Sequence, residues 1–373
     1  MSETWAMIAG GGTAGHVVPG LAVARALVAR GHPSETIHWV GGQRGTEGAM
    51  VNAAGFEATL LPGRGIQRKL TTDNVAAVWG LTRAGAEAMS LVRQRRPAVV
   101  LAMGGWASVS CAMAAVALRV PVVVAEQNAV PGAANRLVGQ FAKAAAVPFP
   151  GTPLPRAVVT GNPVRAEILA VDRSAGGRAA ARAALGLGGR RVVCVFGGSL
   201  GALRLNDAVM GALEMWKAQD KSDLAVRHVI GERDWASVTG RVPDLPAGGI
   251  FYQPVRYDDQ RELSLAAADL AVFRAGGNTV AELAVAGVPS VLVPLPGAPG
   301  DHQTLNARAL SDNGAAVLVV DAEMTAARLL AEVDALLGDP ARLQAMETAA
   351  GGVARRDAAE AVAALMEAHA ERR

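Results

Sequence analysis

Residues 5–30 read WAMIAGGGTAGHVVPGLAVARALVAR, which is an apolar strand, a glycine loop and a helix in direct succession. Residues 191–216 repeat that order as RVVCVFGGSLGALRLNDAVMGALEMW. A strand that runs through a glycine loop into a helix is typical of the start of a doubly wound α/β domain. Two such openings, 186 residues apart, predict two Rossmann-like domains in one α/β chain.

The boundary between the two predicted domains falls in a segment rich in Pro and Gly, VPFPGTPLPRAVVTGNPVR at 147–165. We interpret this segment as loop and linker. The N-terminal domain is therefore predicted over 1–163 and the C-terminal domain over 164–350. The last stretch, at about 355–373, has an amphipathic helical pattern and is predicted to pack back on the first domain.

The net charge of +3 is unevenly distributed along the chain. Residues 1–163 carry 14 Lys and Arg against 7 Asp and Glu, whereas the remaining residues carry 22 against 26. A basic first half indicates an anionic partner for that half, with nucleic acid, a phospholipid surface and a pyrophosphate as candidates. Scattered solubilising charge is an equally simple interpretation.

Two cysteines, Cys111 and Cys194, lie far apart in apolar surroundings, which indicates a reducing compartment without a disulfide framework. The first residues lack the pattern of a signal peptide. The stretch 98–118 has no charged residue and is long enough to suggest a transmembrane helix. Its central GGWAS favours a strand, a turn and a helix instead.

Four glycine loops each follow a predicted strand. They are GGGTAGH at 10–16, GGWAS at 104–108, GGSLGA at 197–202 and RAGGNT at 274–279. Such loops let backbone N–H groups approach an anion, and the helix that follows adds a partial positive charge. Because open α/β sheets bind ligands at this edge, the loops predict one site for a diphosphate donor and another for a pyrophosphate acceptor.

A nicotinamide enzyme is disfavoured by the end of the second predicted strand. The first loop has the spacing of a dinucleotide fingerprint at Gly10, Gly12 and Gly15. That fingerprint needs an acidic residue at the end of the second strand to hold the ribose. Here TIHWV continues into Gly41–Gln43 and the acid is missing.

The segment FRAGGNTVAELAVAGVPSVLVPLPGAPGDHQTLNA at 273–307 favours a sugar-nucleotide pocket. Thr279 would lie in the first turn of a helix, and Glu282, three residues on, can accept two ribose hydroxyl protons. A helix-capping pair is the alternative for these two residues. DHQTLNA, at 301–307, brings a second polar cluster to the same edge of the sheet, with Gln303 at its centre.

Other polar residues admit two interpretations each. His16 can be a general base toward a sugar hydroxyl or a residue that caps the helix. Trp106 can border a sugar or lie in the core. No metal site is predicted, because the carboxylates of 232–234 and 258–259 are interpreted as solvated turns. The basic cluster Arg64, Arg68, Lys69 with Leu70 can rest on anionic lipid or remain a solvated loop.

Seven segments resemble, in order, the signature segments of the MurG family of glycosyltransferases, within glycosyltransferase family 28. They are GGTAGHVVPGLAVA (11–24), MGGWAS (103–108), AEQNAVPGAANR (125–136), GNPVR (161–165), GGSLGALRLN (197–206), RAGGNTVAE (274–282) and DHQTLNA (301–307). The resemblance implies a GT-B fold with two domains facing across a cleft. It also implies an inverting reaction without metal or cofactor, in which UDP-GlcNAc glycosylates lipid I to give lipid II for peptidoglycan, and thus for cell shape and division.

The resemblance also implies a peripheral position on the cytoplasmic face of the cell membrane, on an anionic surface, with no nucleic-acid partner. Carried over by position, His16 is the candidate base, and the acceptor contacts are Gly104, Gly105 and Trp106. The implied donor contacts are Thr13, Ala14, Gly15, Asn128, Arg165, Ser199, Asp258, Gly277, Asn278, Thr279, Val280, Ala281, Glu282 and Gln303.

Several positions depart from the family pattern: Ala14, Trp106, Ala125, Leu200 and Phe273 replace the Gly, Tyr, His, Gln and small residue usual there. The change at 125 affects an expected acceptor contact and the change at 200 an expected donor contact. These two departures leave a non-catalytic scaffold that binds a sugar nucleotide as one alternative. A UDP-GlcNAc 2-epimerase is the other, because it shares the two-domain fold and the donor.

Overall fold

The computed structural model describes residues 3–11, 14–43, 47–62, 73–198 and 201–371, with the side chains of Ala14 and of 73–81 left out of the description. The chain forms two compact units. The first comprises Met1–Arg165 and Arg355–Arg373, and the second comprises Ala166–Ala354. Each unit has its own parallel sheet with helices, so the predicted α/β class is confirmed.

The first unit contains a parallel sheet of seven strands. The strands are β1 (Ala6–Gly10), β2 (Ile37–Gly42), β3 (Glu57–Leu61), β4 (Val99–Gly104), β5 (Val122–Ala125), β6 (Ala144–Val147) and β7 (Ala157–Val159). Their order in the sheet is β3-β2-β1-β4-β5-β6-β7. The helices of this unit are α1 (Ala14–Ala29), α2 (Glu47–Ala53), α3 (Asp73–Arg95), α4 (Trp106–Ala117), α5 (Ala133–Gly139) and, from the chain's end, α15 (Ala358–His369).

The central strands β1, β4, β5 and β6 are buried along their whole length, and their residues are all apolar. Successive strand residues point to opposite faces. Ile8 and Leu101 therefore join the core under α1, where Met366 of α15 also packs, whereas Met7 and Val100 join the core on the other face. Helix α15 thus closes one face of the first unit.

The second unit contains a parallel sheet of six strands. They are β8 (Arg191–Phe196), β9 (Leu224–Val229), β10 (Phe251–Val255), β11 (Leu270–Phe273), β12 (Ser290–Leu292) and β13 (Ala316–Leu318), in the order β10-β9-β8-β11-β12-β13. Its helices are α6 (Ala166–Leu169), α7 (Ala175–Ala184), α8 (Leu203–Lys217), α9 (Trp235–Thr239), α10 (Arg261–Ala267), α11 (Gly277–Ala286), α12 (His302–Ser311), α13 (Ala326–Leu337) and α14 (Pro340–Val353).

Each sheet reverses its strand order at one point, between β1 and β4 in the first unit and between β8 and β11 in the second. Open α/β sheets bind ligands outside the carboxyl ends of the strands at such a reversal. The four glycine loops of the sequence follow these same four strands. The fold therefore puts two loops at the reversal point of each sheet.

Two sequence predictions about elements have definite outcomes. The uncharged stretch 98–118 forms β4, a turn and α4, as predicted. Among the residues the structure describes, no helix combines the length and the apolar character needed to cross a membrane. The Pro- and Gly-rich segment 147–165 is not all loop, because Ala157–Val159 form β7, an exposed edge strand of three residues.

Candidate active site

His16 stands in the first turn of α1, just after the first glycine loop. Its Nδ1 lies 3.0 Å from the carbonyl oxygen of Gly11. Because that oxygen can only accept, neutral His16 carries its proton on Nδ1 and leaves Nε2 as an acceptor. Of the neighbouring predicted residues, Ala14 and Gly15 open α1, and Thr13 lies outside the described residues.

The second glycine loop of the first unit closes on the first one. Gly104 and Gly105 have φ angles of +107° and +82°, which favour glycine. A Cβ at Gly105 would lie 2.6 Å from the carbonyl oxygen of Gly11, and one at Gly104 would lie 3.0 Å from Nε2 of His16. The structure thus brings Gly104, Gly105 and His16 together, and it requires glycine at both loop positions.

Trp106 begins α4 beside the same loop and is half-buried. Its side chain packs against the core on the α4 face of the sheet. A Cβ at Gly42 would lie 2.8 Å from the Trp106 ring. Trp106 therefore contributes to packing at the ends of β2 and β4, whatever its part in binding.

Glu47 is a buried carboxylate that sequence reasoning missed. It begins α2, is 4% exposed, and accepts a hydrogen bond from the backbone N–H of Gly42. A Cβ at Gly11 would lie 2.6 Å from both of its carboxylate oxygens. Strand β2 does not end in an acidic residue, but Glu47 from the following helix places a carboxylate at the end of this strand. Only a TEG tripeptide before a helical pattern marks it in the sequence.

Glu126 organises the loop between β5 and α5. Its buried carboxylate accepts from the backbone N–H groups of Gln127, Asn128 and Gly132 at 2.9, 2.9 and 3.0 Å. It also accepts from the side-chain amide of Asn135 at 2.9 Å. One carboxylate therefore fixes the whole loop that carries Asn128, a predicted donor contact.

In the second unit, Glu282 lies on α11 and is only 7% exposed. Nε of Arg261 donates to its Oε2 at 3.2 Å. The N-cap of α11 is Gly276, which has no side chain to cap the helix, while Thr279 lies inside the helix. The capping-pair alternative for Thr279 and Glu282 is therefore wrong, because neither residue caps the helix.

Gln303 connects α12 to the ends of two strands. Its Oε1 accepts from the backbone N–H groups of Ala275 at 3.2 Å and Leu295 at 3.0 Å. Nδ2 of the buried Asn306 donates to the carbonyl oxygen of Ala275 at 3.1 Å. Because its oxygen is occupied, Gln303 offers an outside group only N–H donors.

Asp234 and Asp258 contradict the prediction of solvated turns. Oδ1 of Asp258 accepts from Arg227 at 3.1 Å and from Ser264 at 3.0 Å, and its side chain is 2% exposed. Asp234 is buried and accepts from Asn206 at 3.1 Å. Both carboxylates lie in the protein interior because arginine, hydroxyl or amide donors compensate for their burial.

A network of buried polar side chains extends from Tyr252 to Asp234, next to Gly201. His228 bonds to Asn206 through Nε2 at 2.9 Å and to the hydroxyl of Tyr252 through Nδ1 at 3.0 Å. Burial lowers the pKa of His228 to about 3, so its imidazole is neutral. Nδ2 of Asn206 donates to Oδ2 of Asp234. The same Oδ2 would lie 2.5 Å from a Cβ at Gly201. The network therefore supports the glycine loop after β8.

Several predicted residues lie outside the described part of the chain: Thr13, Arg64, Arg68, Lys69, Leu70, Ser199 and Leu200. Arg165, another predicted donor contact, is half-buried and ends the first segment of the first unit. Gly277, Asn278, Thr279, Val280 and Ala281 form the start of α11.

Comparisons with known proteins agree across the chain. The model of the glycosyltransferase family 28 N-terminal domain matches residues 6–147, and that of the C-terminal domain matches residues 192–362. A protein of Alkalilimnicola ehrlichii is 41% identical over 96% of this chain and 97% of its own length. It is named UDP-N-acetylglucosamine–N-acetylmuramyl-(pentapeptide) pyrophosphoryl-undecaprenol N-acetylglucosamine transferase.

Solved structures are similar over the same length. The crystal structure of Acinetobacter baumannii MurG aligns with a TM-score of 0.74 and 29% identity, covering 98% of this chain and 99% of that one. A UDP-N-acetylglucosamine 2-epimerase described as putative, from Listeria monocytogenes, aligns with a TM-score of 0.68 at 15% identity, covering 99% and 97%. That second likeness concerns the fold alone.

Proposed function

The chain belongs to glycosyltransferase family 28, and from this membership we propose that it moves N-acetylglucosamine from UDP-GlcNAc to the C4 hydroxyl of the muramyl sugar of lipid I. The product is lipid II, with a new β-1,4 linkage. The observation that carries the proposal is the near full-length match to a transferase named for this reaction. The site geometry supports it, because each sheet has glycine loops at the point where its strand order reverses.

The second unit holds the donor. The start of α11, from Gly277, carries the positive end of a helix dipole and backbone N–H groups that suit a diphosphate. The carboxylate of Glu282 accepts hydrogen bonds from the ribose hydroxyls, and the side-chain amide of Gln303 donates one to an oxygen of the donor. Backbone near Asp258 borders the uracil. The remaining donor contacts are Thr13, Ala14, Gly15, Asn128, Arg165 and Ser199.

His16 is the base. Its Nδ1 is committed to the carbonyl oxygen of Gly11, so Nε2 can take the proton from the attacking C4 hydroxyl. The oxygen then bonds to the anomeric carbon of GlcNAc as the bond to UDP breaks, which inverts that carbon. The start of α11 stabilises the charge on the leaving UDP.

The first unit receives the acceptor. Gly104 and Gly105 directly precede α4, and without side chains they leave the start of this helix accessible. The N–H groups there suit the pyrophosphate of lipid I, and Trp106 is the first residue of the helix. The basic first half would keep the protein on the anionic cytoplasmic face of the membrane as a peripheral protein. Nucleic acid is not a partner in this proposal.

The alternatives make different predictions for one assay. The protein is incubated with UDP-GlcNAc, with and without a lipid I analogue, and UDP and sugar products are measured. We expect release of UDP that depends on the acceptor. Epimerised sugar nucleotide without acceptor would identify a 2-epimerase, and tight binding without turnover would identify a scaffold. Either of these results overturns the proposal.

A further inference from the structure

Arg261 occupies an aromatic slot at the reversal point of the second sheet. Phe196 ends β8 and Phe273 ends β11, and the two residues are partners in the ladder between these strands. Their rings meet edge to face, with centroids 5.7 Å apart. The guanidinium carbon of Arg261 lies 4.1 Å from the Phe196 centroid and 4.6 Å from the Phe273 centroid.

The same guanidinium is the ion-pair partner of Glu282. The side chains of Arg261 and Glu282 are 5% and 9% exposed, and Nε lies 3.2 Å from Oε2. A carboxylate buried to this degree is costly to leave unpaired. Arg261 begins α10 and Glu282 lies on α11, so the pair joins two helices that flank the slot.

We propose that Arg261 is a positioning residue, which holds the carboxylate of Glu282 in the orientation that accepts the ribose hydroxyls of the donor. The proposal rests on the donor site described above. The two rings restrict the orientation of the Arg261 guanidinium, and in this orientation its Nε donates to Oε2 of Glu282. Phe273, which departs from the family pattern, thereby acquires a function as one wall of the slot.

A lysine cannot reproduce this arrangement. Its ammonium is compact and strongly hydrated, and it lacks the planar group that lies against an aromatic face. Arg261→Lys keeps the charge opposite Glu282 but loses the slot. Arg261→Met keeps the length and loses the charge. The two variants therefore separate charge compensation from orientation.

The test measures preference for the ribose hydroxyls rather than affinity alone. Binding of UDP and of 2′,3′-dideoxy-UDP is measured by calorimetry for each variant. We expect the wild-type protein to prefer UDP by about tenfold or more, as hydrogen bonds to a charged group imply. In Arg261→Met, the preference for UDP should fall to about threefold or less. Arg261→Lys should show a preference between those of Arg261→Met and the wild-type protein. Phe273→Leu should also lower the preference.

Arg173→Met is the matched control. Arg173 is another buried arginine of this unit, with a side chain 6% exposed and an ion pair to Glu347. Its guanidinium bonds the carbonyl oxygens of Leu265 and Ala268, at the other end of α10. Loss of Arg173 should lower thermal stability and leave the ratio between the two nucleotides unchanged.

The outcomes separate this proposal from the function it rests on. If Arg261→Met weakens both nucleotides equally and keeps the ratio, Arg261 is only structural and the proposal is wrong. If Arg261→Met does not fold, the ratio of Arg261→Lys decides, and a wild-type ratio overturns the proposal. If the wild-type protein binds UDP and 2′,3′-dideoxy-UDP equally well, Glu282 does not bind the ribose hydroxyls, and the proposal for Arg261 is wrong as well. A ratio that depends on Arg261 in a protein without transferase activity supports the positioning and overturns the proposed function.

Discussion

The two sheet edges present their polar groups in different ways. In the first unit, the ring of His16 is held by a carbonyl oxygen, and Glu126 is held by N–H groups of its own loop. In the second unit, the buried carboxylates Glu282 and Asp258 are each paired with a buried arginine.

This difference separates two tasks. A base that must take a proton needs a free lone pair and a fixed ring, which backbone contacts supply without added charge. A group that must hold a nucleotide needs a carboxylate kept in one orientation in a buried place, and an arginine supplies both the charge and the direction. The comparison predicts that substitution of His16 changes turnover, that substitution of Glu126 changes stability, and that substitution of Glu282 changes donor binding.

The largest effect is expected at His16. In His16→Ala, kcat should fall by about 10²–10⁴-fold, the usual contribution of a general base. Donor affinity should remain within about threefold, because the base acts on the acceptor hydroxyl. Steady-state kinetics with a lipid I analogue measure both, and His369→Ala, at the end of α15, is the control. Activity near that of the control would remove His16 as the base.

A large loss of stability is expected at Glu126. In Glu126→Gln, an NH₂ group replaces one carboxylate oxygen and meets the N–H donors of Gly132 and Asn135. The free energy of unfolding of the first unit should fall by about 2–3 kcal/mol, because buried donors lose their acceptor.

Urea unfolding measures this change. Glu87→Gln removes an exposed surface pair with Arg83 and should cost less than about 0.5 kcal/mol. Equal stability of the two variants would show that the loop does not depend on Glu126.

A smaller effect on donor binding is expected at Glu282. In Glu282→Ala, the KM for UDP-GlcNAc should rise by about 10- to 100-fold, because charge-assisted hydrogen bonds to the ribose are lost. Initial rates at saturating acceptor measure it. Glu347→Ala, which removes a carboxylate paired with Arg178 elsewhere in the unit, should leave KM unchanged. An unchanged KM in Glu282→Ala would refute the ribose role.

The smallest effect concerns pH. Burial lowers the pKa of His228 from 6.5 to about 3, so between these values the unfolded chain binds a proton that the folded chain does not. The contribution of His228 is therefore complete above pH 6.5 and is lost as pH falls toward 3. His228→Gln should lessen the loss of unfolding free energy between pH 6.5 and 5.5 by about 1 kcal/mol.

Unfolding curves at several pH values give this slope. His38, whose pKa is lowered to about 4, adds the same trend to both proteins and cancels in the difference. Identical slopes for the wild-type protein and His228→Gln would show that His228 binds the same number of protons in the folded and unfolded states, which contradicts a lowered pKa.

Local patterns account for what the sequence predicted well. Glycine loops and apolar runs are recognisable within a few residues, so the strand, loop and helix at 5–30 and at 191–216 and the strand, turn and helix at 98–118 were predicted from the sequence. Strands β7 and β10 are among those that were not predicted from the sequence, because β7 is three exposed residues and β10 contains Pro254. Pro is uncommon within strands.

Long-range partners account for what the sequence did not predict. Arg261 meets Glu282 across 21 residues, and it meets Phe196 only because β8 and β11 are neighbours in the sheet. Asp258 resembles a surface turn in the sequence, and its burial follows from Arg227 on β9. Such roles depend on the fold, which brings together residues that no local spacing connects.

A crystal structure of the complex with UDP-GlcNAc tests the account most directly. We predict that the diphosphate lies at the start of α11 and that the ribose hydroxyls donate to Glu282, with the bond from Arg261 intact. A nucleotide bound at the strand ends of the first unit, or a ribose away from Glu282, would contradict the account.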